Sequence, residues 1–132
     1  MLILPNNFNC NKPTTVSLIK QFEVQSGILL PKDYADFLCR TDGGEGFVGS
    51  AYLILWRLED LSKLNQSYQV SEYAPGLLLF GSDGGGEAFA FDTRQKTKRI
   101  VSVPFVGMSI NNARIVADTF TAFLEYLSKL AD

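Results

Sequence analysis

The chain has 132 residues, 46% of them hydrophobic and 20% charged, with 12 Lys and Arg against 14 Asp and Glu for a net charge of −2. A single domain over 1–132 is expected, with a core built without disulfides or a structural metal, and no basic stripe is available for nucleic acid. Histidine is absent, which excludes His-based triads, His general bases and His-ligated metals.

The opening MLILPNNFNCNKP has only a short apolar run before Pro5 and no basic flank. Neither a secretory signal nor a membrane span is expected, and the chain is read as cytoplasmic. Cys10 and Cys39 are too few for a disulfide framework or a zinc site, so reduced thiols are the default. Thr14 or Thr15 can cap a first helix with Val16, Ile19 and Phe22 on one side and Gly27 at its end. A second helix starts at Leu30-Pro31, with Pro31 suited to the first helical position, Asp33 near the positive end of the dipole, and Tyr34, Phe37 and Leu38 as its buried face. The glycine-dense Asp42–Gly46 is expected to be a turn. Ala51–Trp56 reads as a strand leading into a helix through Leu58, Leu61, Leu64 and Tyr68, and Glu72–Gly76 as a turn around Pro75-Gly76.

The clearest signal is FGSDGGGEAFAFD, Phe80–Asp92. The apolar run Leu77–Phe80 precedes it, and beyond the glycines Phe89 and Phe91 alternate with Ala88 and Ala90, which predicts a β-hairpin at the centre of a sheet. The small alanines predict a second, closely covered face. Arg99–Val106 reads as a further strand ending near Pro104. Asp118 is expected to cap a last helix whose Phe120, Phe123, Leu124, Leu127 and Leu130 form an apolar stripe. The fold class that follows is α+β, a mainly antiparallel sheet packed against helices.

Two stretches together resemble the SMI1/KNR4 family of the SUKH superfamily. The first is Leu30-Pro31-Lys32-Asp33-Tyr34 with Phe37-Leu38 and Asp42-Gly43-Gly44-Glu45-Gly46. The second is Leu58-Glu59-Asp60-Leu61, Asn65, Tyr68, Tyr73-Ala74-Pro75-Gly76 and the Phe80–Asp92 hairpin, in the same order. Asp42 stands where that family often has Asn, and either residue tolerates a left-handed backbone. The resemblance implies the same α+β domain and a protein-binding role. Many bacterial relatives look like immunity proteins that neutralise a toxin encoded beside them, and fungal relatives serve as regulatory scaffolds. It carries over no catalytic residues.

The residues themselves allow other chemistry. The GSDGGGE loop offers backbone N–H groups to a phosphate, but lacks the Lys-Ser/Thr ending of a P-loop, and Asp83 and Glu87 repel an anion. Asp83, Glu87 and Asp92 do not match calcium-loop spacing, so no metal and no cofactor is expected. Paired carboxylates from Asp42, Glu45, Asp83 and Glu87 suit acid–base work only if the two glycine loops converge, and solvated turn residues are the simpler account. Cys39 lacks a His to activate it and reads as a small core residue. Trp56 reads as core, with a partner anchor as the alternative. The reading that remains is protein recognition by a non-enzyme: Asp42, Glu45, Glu72, Asp83 and Glu87, beside Tyr52, Tyr68 and Tyr73, as an acidic and aromatic face for a basic toxin. A scaffold module without a toxin partner is the alternative, and a small-ligand protein or enzyme would require a pocket where polar groups converge.

Overall fold

A computed structural model describes residues 8–130; the apolar run before Pro5 lies outside them. Helix α1, Val16–Ser26, begins where Thr15 Oγ1 accepts from the Leu18 N–H at 3.2 Å and ends on Gly27 at φ 74°. Val16 does not join its buried side: it is 60% exposed, and Ile19 and Phe22 alone carry the helix into the core. In α2, Lys32–Leu38, Pro31 stands at the cap and not inside the first turn, and Tyr34, Phe37 and Leu38 are buried as their spacing requires.

The glycines after Asp42 correct the sequence reading. Gly44–Val48 is strand β2, so the reversal is confined to Asp42 and Gly43. The glycine is there for close approach: a Cβ on Gly44 would run into the Asn9 carbonyl and the Phe8 ring, where the short β1, Asn9–Cys10, pairs with β2. Strand β3 is Ala51–Leu55 and α3 is Leu58–Ser67, with Leu58 and Leu61 buried. Val70–Tyr73 forms a further short helix, α4, so Glu72 is helical and only the following Pro75-Gly76 turns the chain.

The hairpin of β4, Leu77–Ser82, and β5, Glu87–Asp92, is as expected, with β4 two residues longer than its apolar run. Strand β6 is Ile100–Pro104 and β7 is Arg114–Ala117, the latter without a sequence signal strong enough to be called. Helix α5, Phe120–Ser128, is capped by Thr119, whose hydroxyl accepts from the Ala122 N–H at 3.0 Å. Asp118, the expected cap, instead meets Arg99 at 3.3 Å.

All seven strands form one antiparallel sheet in chain order, β1 to β7. The first core lies on one face, where Ile19, Phe22, Tyr34, Phe37, Phe120 and Phe123 meet Phe80, Phe89 and Phe91. The second lies on the other, where Val70, Ala74 and Met108 cover Leu79, Ala88, Ala90, Val101 and Val103. Ala88 and Ala90 are small because that face is closely covered, as their pattern predicted.

Two polar side chains tie the helices to this frame. Asn65 of α3 donates to the Leu79 carbonyl at 2.9 Å and accepts from its N–H at 2.8 Å. Strands β3 and β4 pair only at Ile54↔Ser82 and Leu55↔Gly81, so Asn65 supplies a strand-like partner on the β3 side of Leu79, whose other side pairs with Ala90. Asp33 of α2 accepts from both the N–H and the hydroxyl of Thr121, at 2.9 and 3.0 Å, and so holds the first turn of α5.

Candidate functional site

Alternation along β2 and β3 puts Glu45, Phe47, Tyr52 and Ile54 on one face. Helix packing does not close this part of the sheet: Glu45 is exposed, Phe47 is 48% exposed, and Tyr52 and Ile54 are half-buried. The Phe47 and Tyr52 rings meet edge to face at 5.1 Å. Tyr52 donates its hydroxyl to Glu45 at 2.6 Å, and that bond is the main reason the phenol ionises above its usual range.

The hairpin loop reaches the same ring. A Cβ on Gly84 would touch Tyr52 and Ile54, so the β4–β5 loop lies against β3. Asp83 shapes that loop, with Oδ1 accepting from the N–H groups of Gly85 and Glu87 at 2.7 and 3.1 Å. Asp83, Glu87 and Tyr52 border one cavity. Glu45 thus bonds Tyr52 and the Asp83 loop lies against that ring, whereas Glu87 shares the β5 face of Phe89 and Phe91, on the α5 side of the sheet. A second aromatic group stands on the Tyr52 side of the sheet: Trp56 stacks on Tyr68 at 6.1 Å, and Tyr68 meets Phe105 at 4.8 Å.

The other two acidic candidates stand apart. Asp42 is half-buried, and its Oδ1 accepts from the Leu58 N–H at 2.8 Å, capping α3 where Arg57 gives no side-chain bond. Burial pushes its carboxyl above the usual range, against the pull of the Leu58 N–H. Glu72 is exposed on α4, whose Val70 belongs to the second core. Cys39 packs against the first core, and Cys10 is exposed; both are free. Among the described residues no group of three or more His, Cys, Asp or Glu is placed to hold a metal ion, and no helix is long and apolar enough to cross a membrane.

Sequence reasoning passed over Phe47, Phe105, Ser102 and Arg114. The alternation Glu45-x-Phe47 carried the signal for the first, hidden by its glycine neighbours. Arg114 and Ser102 are brought to the cavity by cross-strand pairing, Ser102↔Arg114, which no local pattern announces.

The model of the SMI1 / KNR4 family (SUKH-1) matches residues 13–126, from just before α1 to within α5. The chain belongs to the SMI1/KNR4 family. A search of curated proteins gives no match. The SMI1/KNR4 match spans both glycine segments, the Asn65 anchor and the central hairpin, so the features that build the acidic and aromatic face all fall inside the family domain.

Proposed function

We propose that this SMI1/KNR4 protein is an immunity protein, which binds a cognate bacterial toxin one to one in the cytoplasm and neutralises it without catalysis. The observation that supports this best is the open face of β2 and β3, where exposed Phe47 and half-buried Tyr52 stand beside Glu45 and the Asp83 loop. Aromatic side chains held by a rigid sheet are the usual anchors of protein interfaces, because they bury large area at low entropic cost. The surrounding carboxylates steer a basic partner and speed its encounter. Trp56, Tyr68 and Phe105 extend the aromatic surface towards β6. Of the acidic set, Glu45 and Asp83 contribute directly; Glu72 and Glu87 add to the field, and Asp42 acts by holding α3 against β2.

Co-expression with the toxin encoded next door tests the proposal, with survival and co-purification as readouts. Protection and a one-to-one complex are expected. Phe47→Ala should weaken the complex by about 2 kcal/mol through faster dissociation. Glu45→Lys with Asp83→Lys should slow association and flatten its salt dependence. A folded double variant that associates and protects like wild type would remove this face from the interface. Failure of the wild type to bind or protect would remove the immunity reading.

A further inference from the structure

Between the splayed end of the sheet and the C-terminal half of α5 lies a cavity of about 340 Å³. It lies where β3 and β4 stop pairing beyond Ile54↔Ser82, with Ala51 and Tyr52 at its β3 edge. Its size is that of a small-ligand site. Its floor is Phe89 and Ser102, paired across β5 and β6. Ser102 is 8% exposed, and its hydroxyl forms no hydrogen bond with any described residue. The oxygen itself is not enclosed, since Tyr34 Oη alone among the described residues is a fully buried side-chain atom without a partner, so the Ser102 hydroxyl opens to the cavity.

The charges around that hydroxyl are divided. Glu87 and Asp83 stand on the hairpin side, and Arg114 stands on β7. Arg114 stands level with Phe89 two strand spacings away, and Glu87 is two residues further along β5, so their Cα atoms are about 12 Å apart by ordinary sheet geometry. None of the ion pairs among the described residues joins Arg114 to either carboxylate. The second oxygen of Asp83, both of Glu87 and the Tyr126 hydroxyl form no hydrogen bond with any described residue. Val116, Leu127 and Leu130 supply an apolar wall. The opposite charges therefore face one cavity, and neither side neutralises the other.

We propose that this cavity binds a small zwitterion of the α-amino acid class, with its ammonium on Glu87 and Asp83, its carboxylate on Arg114, a hydrogen bond to Ser102, and an apolar side chain against Val116, Leu127 and Leu130. A cation alone leaves Arg114 unanswered, and an anion alone meets two carboxylates. A free amino acid answers both ends. A chain terminus carries only one of the two charges and is a poorer match.

L-leucine, leucinamide and N-acetyl-L-leucine are the probes, followed by amide chemical shifts on the full chain. L-leucine is expected to give saturable shifts at Asp83–Glu87, Ser102 and Arg114. Both derivatives should bind at least tenfold more weakly. Glu87→Gln and Arg114→Met change side chains at the cavity rim and should each weaken L-leucine at least tenfold, while Arg114→Met leaves leucinamide unaffected and Glu87→Gln leaves N-acetyl-L-leucine unaffected. Absence of saturable shifts, or equal binding of all three probes, overturns the proposal. Arg114 and Ser102 lie outside the proposed toxin face, so toxin binding by Arg114→Met separates failure here from failure of the immunity reading.

Discussion

Tyr34 carries a hydroxyl that the fold does not satisfy, and Tyr34→Phe turns that into a measurable gain. The side chain is 1% exposed and its Oη has no hydrogen-bond partner among the described residues. Around it stand Phe91, Phe120 and Phe80, with ring centroids at 4.9, 5.1 and 5.7 Å. Burial first, and the Asp42 charge second, push its ionisation far above the usual phenol range, so it is a neutral phenol at any ordinary pH. An unbonded buried hydroxyl costs about 1–3 kcal/mol. Removing one oxygen leaves a void of roughly 10–15 Å³, a penalty of about 0.3 kcal/mol at the usual cavity coefficient. The ring contacts remain, so Tyr34→Phe should stabilise the protein by about 1–2 kcal/mol. In a chain of this size that raises Tm by roughly 3–6 °C. Urea denaturation with an unchanged m-value is the assay. A loss of about 1 kcal/mol or more refutes the reasoning, because the hydroxyl must then be bonded.

Three further outcomes follow from the same structure. Asn65→Ala removes both bonds to Leu79 and should cost about 2–3 kcal/mol, with faster hydrogen exchange at the Leu79 amide; unchanged exchange there would contradict its strand-like role. Gly81→Ala should cost about 2–3 kcal/mol, because a Cβ there meets the Ile54 carbonyl where β3 pairs with β4; equal urea midpoints would show that the strands can part freely. Asp42 has a raised carboxyl pKa in the fold, so the folded state holds its proton more tightly than the unfolded chain. Its charge therefore lowers stability as pH rises through the folded value, and that loss is recovered as pH falls towards about 4. Asp42→Asn keeps an oxygen for Leu58 and should be more stable than wild type at pH 7, with the gap closing on acidification, whereas Asp42→Ala should lose about 1 kcal/mol. Parallel unfolding curves for wild type and Asp42→Asn from pH 7 to 4 would exclude this linkage.

What the sequence showed clearly were elements whose signals are local and unopposed. The hairpin announced itself through Phe89, Phe91 and the glycines between its strands, and α5 through Phe120, Phe123, Leu124 and Leu127 at helical spacing; Leu130, the expected fifth member of that stripe, lies past the helix end at Ser128 and is exposed. Strand β2 was hidden because Gly43, Gly44 and Gly46 suggest a reversal, whereas Gly44 answers to a neighbour more than thirty positions away, Asn9. Val16 fits the stripe of α1 but faces solvent, since periodicity gives a direction without saying how far the core extends. The site divided in the same way. Acidic residues on loops could be named, but whether they gather depends on register. Glu45 reaches the Asp83 loop by way of Tyr52, while Glu87 turns to the α5 side and Asp42, only three positions before Glu45, turns its carboxylate to Leu58.

Strand order that follows chain order has a consequence for folding. Each strand pairs with its predecessor, so from β4 to β7 the sheet can grow by successive short closures, whereas β1–β2 and β3–β4 each close across two helices. One closure is different in kind: Asp33 and Thr121 are separated by 88 positions, and through them α5 joins α2 over the large aromatic face. During synthesis the sheet emerges strand by strand with Phe80, Phe89 and Phe91 uncovered, and α5 is the last of the described elements to leave the ribosome. Docking of that helix converts an adhesive half-built sheet into a finished protein. Loss of the Asp33–Thr121 clasp would therefore be felt first as poor yield of folded chain during synthesis, before it is felt as a lower melting point.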